Sequence, residues 1–246
     1  MSDALKEQFI QIAQQLLSLA GVAAFYYVLR HFGNIHLLQS APFFARTFSP
    51  VLFAVFEQHV WQFLFAMAAL TVVSRGNLWS CGINSMNIRH SLAILLGFYA
   101  AAIVVLITLA SLSLLLPHNY AYYRVPDRLL VMTILWLSSP VADQILFFGL
   151  FHTVLAKFWT EKISLGSLEV PSVIFITAFA FALGRSGLPH YTTTMAEYTA
   201  GFGIGIFSGF MYYRTRSLLT PMLAQAFFFG LPDAVNIILS SMGYHL

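Results

Sequence analysis

The sequence predicts an all-α protein, a multi-pass transmembrane helical bundle of about 7–8 membrane segments, because apolar runs of bilayer length recur along it. Composition agrees: 59% of the 246 residues are hydrophobic and only 9% are charged, far below the roughly one-quarter charged in soluble domains. No polar block between the apolar runs is long enough to fold separately, so residues 1–246 read as a single integral membrane domain.

A hydrocarbon core about 30 Å thick needs about 20 helical residues, so runs bounded by charge and loop residues count as spans. Four are long: Phe9–Val28, Val51–Val73, Leu92–Leu116 and Leu129 to about Phe158. The fourth contains Ser138-Ser139-Pro140, and a proline that lacks a backbone donor and crowds the preceding turn predicts a kink or break there. The later runs, Val170–Leu183, Tyr198–Tyr213, Leu218–Leu231 and Ala234–Met242, are short and interrupted by Gly or Pro. Irregular backbone at membrane depth is tolerated only where protein or a cavity surrounds it, which places these segments inside the bundle. Gly201, Gly203, Gly205, Ser208 and Gly209 offer small residues on a helix that another backbone can approach.

Several functions and destinations are excluded or constrained. The net charge of +3 is spread singly through the loops, so nucleic-acid binding has no support. Cys81, the single cysteine, allows no internal disulfide and has no zinc-finger neighbours. The opening residues carry the acids Asp3 and Glu7, unlike a cleavable signal, so the first span is expected to be retained. Lys6, Arg75, Arg89, Lys157, Lys162, Arg214 and Arg216 fall on one side, and Arg30, Arg46, Arg124, Arg128 and Arg185 on the other. That small excess favours a cytoplasmic N-terminus, in a bacterial or archaeal cytoplasmic membrane.

A carboxylate inside a span is costly and is by default a functional candidate. Glu57 lies within the second run, where it is expected to reach headgroups or water near the interface, with a site role as the alternative. Asp143 lies too deep in the fourth run for that.

The stretch from Pro140 to Leu150, with Asp143, Gln144, Phe148 and Gly149, resembles the first signature, EExxxR then glycine, of the CPBP intramembrane metalloproteases. That family includes the CAAX prenyl endopeptidases and the Abi bacteriocin-immunity proteins. Phe181 to Arg185 is similar to its second signature, FxxxH, and Gln225 to Phe229 to its third, HxxxN, in the same order. Residues 205–224 resemble the stretch joining the last two motifs, so the likeness covers about 129–230.

The resemblance implies a water activated by glutamate and a metal, held by glutamates and histidines, and every such position differs here. The glutamate pair is Asp143 and Gln144, the arginine is Phe148, the histidines are Arg185 and Gln225, and the asparagine is Phe229. Arginine only donates, phenylalanine offers no lone pair, and an amide is no general base. Catalysis as the family performs it is therefore not expected, no metal or cofactor is expected, and zinc enters only if a protease reading holds.

Residues four apart share a helical face, pairing Gln144 with Phe148, Phe181 with Arg185, and Gln225 with Phe229. An Asp143–Arg185 pair would be neutral inside a low dielectric. Its alternative has Arg185 at a headgroup and Asp143 held by Ser138, Ser139 or water. Displaced ligands, were a metal bound, would be Glu57, His152 and His190.

These features predict a catalytically degenerate membrane protein. It would bind another membrane protein or a hydrophobic peptide without cleaving it, in a cavity lined by Phe148, Phe181 and Phe229. The runner-up is an active protease with displaced ligands. A small-solute transporter comes third, since no repeat of the spans is evident.

Overall fold

The computed structural model describes residues 3–33, 50–84, 89, 92–97, 99–101, 104, 136–185, 195–228 and 230. Two long helices come first, α1 (Asp3–Gly33) and α2 (Pro50–Val73). Pro50 starts α2, where its fixed φ suits the first helical position and its missing N–H would have had no partner. Both cover the first two expected spans, with α1 running more than a turn further at each end. Of the third span only 92–97, 99–101 and 104 are described, and they are helical. The segment Ala234–Met242 lies outside the described residues.

Among the described residues one helix, Leu5–His31, is long and apolar enough to cross a membrane. Its outer face is apolar and uncovered, with Phe9 68%, Leu16 61%, Leu17 72% and Tyr27 73% exposed. A soluble domain keeps such a continuous surface small, whereas a lipid-facing helix presents one.

The third helix, α3 (136–155), departs from expectation at Pro140. The described chain stays helical through the proline, and the departure comes later as a π-helical stretch, Gln144–Phe151. There the bonds run from residue i to i+5, as in the His152 N–H donating to the Phe147 carbonyl. Proline removes one donor without requiring a break, and a widened turn absorbs a residue that regular α geometry would misplace.

The described residues are mostly helical, as expected, with one addition: an antiparallel hairpin joins α3 to the next helix. Strands β1 (Lys162–Leu165) and β2 (Leu168–Pro171) pair Ile163 with Val170 and Ser164 with Glu169. Val170 therefore belongs to a strand, not to the start of a membrane segment. The two-residue turn begins at Gly166 with φ +66, the left-handed value that glycine adopts without strain.

Helices α4 (Val173–Arg185) and α5 (Met195–Thr215) then pack against each other most intimately. The small face of α5 explains the approach: a Cβ at Gly205 would lie 2.8 Å from the Ala178 Cα, and one at Gly201 3.5 Å from the Ala182 Cα. Gly203 points elsewhere and would meet nothing within 4 Å.

The last described helix, α6 (Leu219–Phe228), is set by a turn tied to the loop after α2. The Leu218 N–H donates to the Gly82 carbonyl at 2.8 Å, Ser217 Oγ to the Asn84 carbonyl at 2.7 Å, and Asn84 Nδ2 to the Arg216 carbonyl at 3.0 Å. That brace orients α6 toward α3. The main core joins Leu29, Leu70, Leu146, Phe148, Phe181 and Leu218, from five parts of the chain.

Candidate functional site

Where α3 passes from α to π geometry it presents Asp143 and Gln144 inward, 6% and 0% exposed. Asp143 Oδ1 accepts from Gln62 Nε2 at 2.9 Å, and Oδ2 accepts from Gln225 Nε2 at 3.0 Å and Ser139 Oγ at 3.2 Å. Gln144 Nε2 donates to Gln225 Oε1 and, at 3.2 Å, to Ser208 Oγ. Helices α2, α3, α5 and α6 thus meet in one buried hydrogen-bonded network.

The carboxylate sets the direction of that network. It can only accept, so Gln225 turns its amide nitrogen to Asp143 and its oxygen to Gln144. Gln144 must then present its own nitrogen, which leaves its Oε1 buried without a hydrogen-bond partner among the described residues. Such an orphaned acceptor costs on the order of 1–3 kcal/mol unless something donates to it.

Beside the network, α5 and α6 flank a half-open cavity of about 270 Å³. Ile204, Phe207 and Phe228 form apolar walls, Gly203 leaves one side without a side chain, and Ser208 and Gln225 bring the network to its edge. The arrangement can hold an apolar chain against a small hydrogen-bonding patch. Among the residues described there, no hydroxyl or thiol stands beside a histidine as an activated nucleophile would.

Residues 125–230 match the Rce1-like family, described as type II CAAX prenyl endopeptidase Rce1-like. That match, over rather less than half of the chain, supports membership of the CPBP/CAAX protease family. No curated protein and no solved structure matches the chain.

The Rce1-like match contains all seven motif positions, six that differ from the family signatures and Phe181, which keeps the signature phenylalanine, and the structure sorts them. Asp143, Gln144 and Gln225 come together. Phe148 and Phe181 do not line the cavity, contrary to expectation. Both are fully buried with ring centroids 6.1 Å apart, and Phe148 lies beneath Gly209, so they fill the core between α3, α4 and α5. The aromatic lining comes from Phe207 and Phe228 instead. Phe229 and His190 lie outside the described residues, as does the side chain of Arg185.

For Asp143, the alternative partner Ser139 is present, and two amides join it. The expectation that Glu57 reaches headgroups or water is overturned: it is 0% exposed, with Trp61 Nε1 donating to its Oε1 at 3.4 Å. His152 is buried with its ring edge-on to Tyr212 at 5.3 Å, one end of α3 away from Asp143. Among the described residues no three of His, Cys, Asp and Glu are grouped closely enough to share a metal ion.

Sequence reasoning missed Gln62. Its signal was an amide within the apolar run Val51–Val73, the type of residue that joins helices inside a membrane. Ser208 was noted only for its size.

Proposed function

We propose that this Rce1-like protein is a multi-pass membrane protein that binds a hydrophobic peptide or lipidated chain without hydrolysing it. The observation that carries the reading is the cavity against the amide network: apolar walls for a chain, with Ser208 and Gln225 at the edge for its polar end. Where a CAAX prenyl endopeptidase cleaves, this chain would only hold. A catalytic zinc takes about three protein ligands and a water. The network offers one carboxylate, already engaged by three donors, and two amides bonded to each other, a donor set that does not fit such a metal.

The test uses the purified protein in nanodiscs and a fluorescent farnesylated CAAX peptide, measuring binding and cleavage together. Binding without cleavage is expected. Gly203→Phe should weaken it at least about tenfold while the protein stays folded, since nothing lies within 4 Å of a Cβ there and the ring would occupy the cavity. Val104→Ala, at an exposed position, should leave binding unchanged. Chelator-sensitive cleavage, with one transition metal per chain by elemental analysis, would instead establish the displaced-ligand protease. Peptide binding unaffected by Gly203→Phe would move the site elsewhere.

A further inference from the structure

We propose that the hairpin Lys162–Pro171 is a membrane-surface element whose apolar face, carrying Ile163 and Leu168, lies in the headgroup–acyl boundary of the bilayer while Lys162 and Glu169 face water. The inference rests on the membrane reading above and goes beyond it, because the hairpin, although it lies within the matched stretch, takes no part in the amide network or the cavity.

Register makes the hairpin two-sided. Ile163 pairs with Val170 and Leu165 with Leu168, putting apolar residues at alternate positions, and Ser164 with Glu169 occupies the other set. On that second side Lys162 Nζ reaches Glu169 Oε2 at 2.7 Å, with both side chains more than half exposed. The protein covers the apolar side only at its base: Val170 is 5% exposed, Ile163 40% and Leu168 51%. An isolated two-stranded ribbon is at best marginally stable in water, so the uncovered end calls for an apolar neighbour.

The level of the hairpin in the molecule says what that neighbour is. Glu161, immediately before β1, accepts from Gln11 Nε2 at 2.9 Å and Gln15 Nε2 at 3.1 Å on α1. Gln15 also donates to the Phe158 carbonyl at 3.2 Å, so the exit of α3 is latched to α1 at that height. From Gln11, the outer latch residue, to Arg30, α1 is about 30 Å long at about 1.5 Å per residue, the thickness of a hydrocarbon core. The latch therefore marks one edge of that core, and Arg30 and His31 fall at the other. Along the same helix the apolar surface of Leu16 and Leu17 is open, so the hairpin's apolar end continues a lipid-facing surface. A charged side and an apolar side at that boundary are what an in-plane interfacial element presents.

Nitroxide labels in the full chain, reconstituted in phosphatidylcholine vesicles, test this. With Cys81→Ser as background, Ile163→Cys, Leu168→Cys, Ser164→Cys and Leu16→Cys are labelled. Collision with oxygen, enriched in the bilayer, is compared with collision with a water-soluble nickel chelate. The oxygen-to-nickel ratio should be several-fold higher at 163 and 168 than at 164, and high at Leu16. Nickel-favoured labels at 163 and 168 beside an oxygen-favoured Leu16 would put the hairpin in water and overturn the proposal while leaving the membrane reading intact. Labels at 163 and 168 shielded from both reagents would mean a protein cover, a second copy or another chain, and would overturn it too. A nickel-favoured Leu16 would sink the membrane reading and this inference together.

Discussion

Asp143 and Glu169 are both carboxylates held by side-chain donors, and the exposed one has the shorter bond. Glu169 meets Lys162 at 2.7 Å on a strand open to solvent, whereas Asp143 collects Gln62, Gln225 and Ser139 at 2.9, 3.0 and 3.2 Å inside four packed helices. Bond length alone would rank the hairpin pair first. Desolvation reverses the order: the surface pair exchanges water for a partner at almost no net gain, while every donor around Asp143 would be stranded if its acceptor vanished.

The largest expected effect follows at Asp143. Asp143→Ala strands two buried amide donors and the half-buried Ser139 hydroxyl, and should cost about 3–5 kcal/mol in chemical denaturation of the detergent-solubilised protein. Paired with Gln225→Leu, the double change should cost less than the sum of the singles by about 1–3 kcal/mol. Additive losses would mean that the carboxylate and the amide do not depend on each other. The same cycle with Arg185→Gln tests the ion pair that the sequence suggested.

Two glycines of one helix sharpen the contrast between packed and open surroundings. Gly205→Ala must push α4 from α5, because the added Cβ falls 2.8 Å from the Ala178 Cα, and a loss of about 1–3 kcal/mol is expected. At Gly203 the same methyl meets nothing within 4 Å and replaces a poor helix former, so about 0.5–1 kcal/mol should be gained. Equal effects at the two sites would contradict the close packing of α4 and α5.

What could be read in advance divides along similar lines. The first two helices and the glycine face were legible, because long apolar runs and small-residue spacing are local or nearly local signals, whereas the meeting of Asp143 and Gln144 with Gln225 joins side chains 82 and 81 residues apart and was not foreseen. Nor was Gln62, since what made that amide matter was a partner 81 residues away. The roles of Phe148 and Phe181 were misjudged for a related reason. Residue type says that a ring will be buried, but only packing decides whether it lines a cavity or fills a core. The π stretch left no mark that could be separated from the expected proline kink. The hairpin differs: Lys162-Ile163-Ser164-Leu165-Gly166-Ser167-Leu168-Glu169-Val170 alternates and turns at Gly-Ser, a short-range signal overlooked because membrane-segment counting absorbed Val170 into a helix.

The smallest expected effect belongs to the hairpin pair, and its sign follows from the two charges. Glu169 is held below its ordinary carboxylate value by the Lys162 hydrogen bond first and its charge second, and Lys162 is raised by the same partner in the same order. A lowered acid contributes stability that is present above its unfolded value and lost as pH falls through the folded one. A raised base contributes below its unfolded value and loses it as pH rises through the folded one. The pair should therefore be intact from about pH 5 to about pH 10 and fail only outside that window. Because both side chains are open to solvent, screening removes most of the benefit even within it. Melting curves of wild type and Glu169→Gln should then superimpose at pH 7 and at pH 4, while Asp143→Ala melts well below both at either pH. A Glu169→Gln loss that is clear at pH 7, absent at pH 3 and undiminished by salt would mean that the hairpin's charged face is shielded from water, and would put Glu169 in the same class as Asp143.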